Sequence, residues 1–115
     1  PVDMRTWVTY LNRDLFTRAG VELPPHDWNW SELEDIVRRL SRPESGIYGF
    51  GAAPRYDLFL AFLWQNGGEM FDPEGKHCLL MEPESLEAIE MLKSLWSFSP
   101  RAPKAKGYLA HMYEI

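Results

Sequence analysis

The sequence is poor in cysteine, in basic charge, in long apolar runs and in strand-forming stretches, and each shortage excludes something. Cys78 is its single cysteine, so no internal disulfide can form. Its neighbour His77 suggests a metal pair, but adjacent residues of a strand point to opposite faces. His26 and His111 lie far away without ligand spacing, so no metal site is expected. Twelve Lys and Arg stand against seventeen Asp and Glu, a net charge of −5. That balance argues against a nucleic-acid binder, which needs clustered cations to displace counterions. The longest apolar run, residues 58–64, falls far short of the roughly 20 residues that span a bilayer. Residues 1–6 are polar and no apolar stretch of a signal peptide follows them. The start at Pro1 rather than Met leads to the expectation of a processed or excised piece.

The 115 residues suit one domain, and 45% hydrophobic with 25% charged side chains argues against disorder. Five Trp, five Tyr and six Phe form a heavy aromatic load, destined either for a core or for a ligand-facing surface. Charge is uneven along the chain. Residues 56–100 hold eight acids and two bases, whereas residues 101–115 hold one acid and three bases. Acidic middle and basic tail read first as two solvated faces.

Residues 7–11 (WVTYL) predict a short strand, being β-branched and aromatic. Asn12 then caps a short helix over 13–18 that stops at Gly20. Pro24 and Pro25 hold the next segment extended. Asn29 and Glu32 have capping-box spacing, opening a helix with the stripe Trp30, Leu33, Ile36, Val37 and Leu40. Its wet face pairs Glu34 with Arg38 and Asp35 with Arg39. Residues 47–50 (IYGF) predict a second short strand. Residues 56–66 are apolar nearly all round, as in a helix enclosed by other elements. Gly67 and Gly68 end it through left-handed backbone angles. The Asp72–Pro73–Glu74–Gly75 sequence predicts a type I turn within a β-hairpin over 70–81. Pro83 opens a helix to about residue 98, with the stripe Leu86, Ile89, Leu92 and Trp96. Residues 99–115 form a tail with no clear assignment. The pattern is α/β, yet three short strand signals do not complete a sheet.

The order of these segments is familiar. The stretches NRDLFTRAGV at 12–21, YGF at 48–50, WQNGG at 64–68 and PESLEAI at 83–89 occur with paired prolines, a capped helix led by Trp and a turn before Lys. Together they resemble the extracellular solute-binding proteins of family 1, the sugar-type receptors of bacterial ABC importers. The resemblance covers about residues 8–97. Leu11 stands where the family usually has Tyr, and His26 to Trp28 lengthen the segment before the Asn29 cap.

The resemblance implies a partial lobe of a type II periplasmic-binding-protein-like fold, with several helices around few short strands and a β-hairpin. It places residues 1–115 in the C-terminal lobe of a two-lobed receptor, which accounts for the missing sheet. It further implies a periplasmic or extracellular, lipid-anchored whole protein that delivers a carbohydrate or similar polar solute to an ABC permease. Neither a cofactor nor nucleic acid is implied. Stripped strand edges lead to the expectation that the piece dimerises.

The loop over 51–57 joins a strand to a helix N-terminus, a position that faces the cleft in α/β lobes. Arg55 and Asp57 are suited to hydrogen-bond sugar hydroxyls, and Tyr56 to lie against a sugar face. The plainer alternative is that Asp57 caps the helix and Arg55 is solvated. Trp64 reads either as a cleft residue or, the favoured reading, as core, while Trp30 and Trp96 read as core. Asp57 and Glu69 invite a glycosidase reading, since that chemistry needs two flanking acids. They lie at opposite ends of one helix, roughly 15 Å or more apart by helical rise, too far for a shared bond. A receptor rather than an enzyme is therefore expected. The alternative is a stand-alone protein-interaction domain that docks through an acidic helical face.

Overall fold

A computed structural model describes residues 6–52 and 55–100. Among the described residues four α-helices make up the framework: α1 (Arg13–Ala19), α2 (Trp30–Leu40), α3 (Tyr56–Gln65) and α4 (Pro83–Ser97). A 3-10 turn, Pro43–Ser45, follows α2.

The helix boundaries are set by the residues that satisfy orphan backbone groups. Asn12 accepts the Leu15 amide at 3.2 Å, and Gly20 closes α1 at φ 64°, where only glycine is unstrained. At α2 the capping box is complete. The Glu32 amide donates to Asn29 Oδ1 at 3.0 Å, and the Asn29 amide donates to Glu32 at 2.7 Å. Both i,i+4 ion pairs form on its wet face, at 3.5 and 3.4 Å, each contributing a few tenths of a kcal/mol.

The main core lies where α2, α3 and α4 meet. Val37, Leu58, Phe62, Ala88, Leu92 and Leu95 are buried there, with Trp30, Phe59 and Trp96 packed at the rim. A smaller cluster of Phe16, Val21 and Leu40 fastens α1 to α2. Each large apolar side chain so enclosed contributes about 1.5–3 kcal/mol by area.

Several expectations are corrected. Residues 7–11 form no strand, and Trp7, Val8 and Tyr10 are exposed. Strand propensity measures fit to a neighbouring sheet, and among the described residues no strand lies beside them. Residues 47–50 likewise keep only the Arg42–Ile47 bridge. The hairpin is reduced to one antiparallel bridge, Phe71–Cys78. Its turn is as predicted: the Gly75 amide donates to the Asp72 carbonyl at 2.9 Å, and Asp72 Oδ1 accepts the Lys76 and His77 amides. Gly67 is left-handed at φ 74°, but Gly68 is not. Gly68 instead lies against Leu63 and Glu84, with no room for a side chain.

The buried face of α4 is also rotated from the predicted stripe. Ser85, Ala88, Leu92 and Leu95 are buried, whereas Leu86 and Ile89 are 41% and 45% exposed. Small Ser85 and Ala88 let α3 approach closely, and the Ser85 hydroxyl is satisfied by the Leu79 carbonyl at 3.0 Å. Trp64, read as core, is 55% exposed. An apolar helix with one face uncovered must show some of its large side chains to solvent.

Candidate functional site

The loop leading into α3 brings three of the four candidate residues together. Arg55 is the N-cap of α3, with extended backbone (φ −119°, ψ 147°), and Tyr56 and Asp57 are in its first turn. No cap side chain satisfies the helix amides from that position. Asp57 Oδ1 accepts the Leu58 amide at 3.1 Å from inside the first turn.

Arg55 and Asp57 form a two-bonded ion pair. The Arg55 Nε donates to Oδ1 at 3.0 Å and one Nη to Oδ2 at 2.8 Å. Such parallel bonds suit the planar guanidinium and orient it. The Arg55 hydrogen bonds hold the Asp57 carboxyl below the ordinary aspartate value of 3.8. Asp57 is therefore ionised at neutral pH. Between the pair, Tyr56 is 78% exposed, leaving a ring and a phenol open to solvent.

The structure does not bring Trp64 to this group. It lies eight residues further along α3, roughly 12 Å by helical rise. Next to it, Gln65 accepts the Trp30 indole N–H at 3.0 Å, and the Trp30 ring meets Phe62 at 5.4 Å between centroids. Two cavities among the described residues lie away from the α3 loop. One, of about 610 Å³, lies between the Pro24–Pro25 segment and α2, and the other, of about 400 Å³, between α2 and α4. What the arrangement offers chemically is a recognition surface: an ordered guanidinium–carboxylate pair beside an open aromatic ring. The sequence showed the three residues but not the clamp between two of them. The Arg-x-Asp spacing across a helix start was the available signal.

Set beside known proteins, this arrangement of helices matches part of a substrate-binding lobe. It superposes on the ABC substrate-binding protein Lmo0181 of Listeria monocytogenes, solved in complex with cycloalternan, with a TM-score of 0.69 and 30% identity. The match covers 77% of this chain and 24% of that one, and it defines the type II periplasmic-binding-protein-like class. A family profile described as "Bacterial extracellular solute-binding protein" matches residues 1–115, and the chain belongs to that family. A relative from Brucella abortus (strain 2308), named only as a binding protein, is 30% identical over 99 residues, 83% of this chain and 23% of its own. The mannitol-binding protein of Pseudomonas aeruginosa (strain PAO1) is 40% identical over 42 residues, 36% of this chain and 9% of its own. The chain thus spans less than a quarter of the length of these relatives. The family is one of binding proteins, not of enzymes. Among the described residues no helix is long and apolar enough to cross a membrane.

Proposed function

We propose that this chain is part of the C-terminal lobe of an extracellular receptor that binds a carbohydrate or related polyol and presents it to an ABC permease. The observation that supports it most is the 30% identical structural match, over 77% of the chain, to a receptor holding a carbohydrate. Solute enters between two lobes, and hinge closure follows because the closed form binds it more tightly. Arg55, Tyr56 and Asp57 supply this lobe's side of the contact. Tyr56 offers a ring for the apolar face of a sugar, and the Arg55–Asp57 pair offers fixed polar atoms for its hydroxyls. The protein acts as a receptor without catalysing a reaction, outside the cytoplasmic membrane and held there by a lipid anchor.

Calorimetry with mannitol and cycloalternan tests this reading. The full-length protein is expected to bind one of them, and Tyr56→Ala to weaken that binding about tenfold, or ~1.4 kcal/mol. The 115-residue chain alone is expected to bind weakly or not at all, since the opposing wall is absent. Micromolar affinity of the isolated chain would overturn its assignment as an incomplete lobe. The isolated chain also exposes Leu86 and Ile89, which offers self-association a helix flank beside the expected strand edges. Light scattering of the isolated chain and of Leu86→Ser/Ile89→Ser distinguishes the two routes.

A further inference from the structure

The α3 loop holds an arginine beside a helix start, a combination that ordinarily attracts carboxylates and phosphates. Here the arginine is already engaged. Asp57 takes Nε and one Nη of Arg55 in two parallel bonds of 3.0 and 2.8 Å. The carboxylate is held in turn by the Leu58 amide at 3.1 Å, so both of its oxygens are occupied by this chain. The positive and negative charges cancel within two residues.

We propose that Asp57 is a specificity-determining residue that acts through Arg55: by clamping the guanidinium it sets the α3 loop to accept uncharged polyols and to refuse anionic solutes. The inference rests on the reading of Arg55, Tyr56 and Asp57 as solute contacts, and it assigns Asp57 a different part in that contact. In this part Asp57 acts through the two bonds it accepts from Arg55. Its ionisation at neutral pH keeps the clamp closed. With the clamp closed, Arg55 presents a neutralised, oriented edge to hydroxyl groups. With it open, the guanidinium becomes an anion site.

Inorganic phosphate is the probe, because its binding needs no knowledge of the natural solute. It is titrated at low salt into the full-length wild-type protein, Asp57→Asn, Asp57→Ser and the double variant Arg55→Gln/Asp57→Asn. The Arg55 Nε–H and Tyr56 amide resonances report binding at the loop, and the α3 amide spectrum reports that each variant is folded. Removal of the opposing charge is expected to tighten phosphate binding about fivefold to tenfold in both single variants, and added salt to shrink the gain. The double variant is expected to return to the wild-type value. Single variants that bind phosphate no tighter than wild type, or a gain that persists in the double variant, would overturn the proposal. Failure of the solute-contact reading is seen separately, as full-length Tyr56→Ala that keeps its sugar affinity.

Discussion

Asn66 reaches from the end of α3 into the first turns of α4, where its side-chain amide donates to the Glu84 carbonyl at 3.0 Å. The same amide donates to the Glu87 carboxylate at 2.9 Å. One residue thereby ties the C-cap of one helix to the start of the next across eighteen positions of sequence. Asn66→Ala is expected to cost about 1 kcal/mol, since it removes two solvent-exposed hydrogen bonds. Asn66→Asp is expected to cost more, because a carboxylate would face the Glu84 oxygen and the Glu87 charge. Urea unfolding at neutral pH reads both values. An Asp variant as stable as wild type would show that the contact contributes nothing.

The rotated face of α4 makes a paired prediction. Leu92 is 1% exposed, so Leu92→Ala is expected to destabilise the chain by about 2–5 kcal/mol through lost burial and a residual cavity. Ile89→Ala, on the uncovered flank, is expected to cost well under half of that in this chain. Equal losses in a denaturant titration would restore the stripe of Leu86, Ile89, Leu92 and Trp96 as the buried one.

Gly49 has no space for a side chain. A methyl group there would strike the Val37 carbonyl oxygen and lie 2.6 Å from Ser41 Oγ. Those same atoms form a relay, in which the Gly49 amide donates to Ser41 Oγ at 3.0 Å and that hydroxyl donates to the Val37 carbonyl at 2.7 Å. Gly49→Ala therefore displaces backbone as well as a side chain. A loss of about 1–3 kcal/mol in thermal or urea unfolding is the expected result.

The Asp57 carboxyl, lowered chiefly by its Arg55 hydrogen bonds, is linked to acid sensitivity. Its folded value lies below its unfolded one, so the contribution of the pair is complete above the ordinary 3.8. It is lost as pH falls through the lower, folded value. A carbon-detected titration of Asp57 is expected to show a midpoint below 3.8, and Arg55→Gln to move it upward. An unchanged midpoint in that variant would remove Arg55 as the cause.

How far the sequence could be read depended on the range of the forces involved. Helix starts and stops were legible because they are settled within four residues: Asn12 and Gly20 around α1, the Asn29–Glu32 box of α2, and Pro83 at α4. The apolar content of α3 announced a packed helix, and the ordered motifs announced the family. The Arg55, Tyr56 and Asp57 cluster was legible for the same local reason, since three consecutive residues at a helix start must lie together.

What required tertiary structure was every choice between two available neighbours. Trp7, Val8 and Tyr10 have strand chemistry, but a strand exists only where another offers its backbone, and none of the described residues does so. Residues 83–98 hold two candidate faces. Ser85 and Ala88 won burial over Leu86 and Ile89 because small side chains admit α3 at close range. Trp64 and Phe62 are both aromatic residues of α3, yet one is exposed and the other buried, because only one side of that helix is covered. Local sequence determined where each helix begins, where it ends and what chemistry stands at its start. The packing partners alone decided which face of each helix is core.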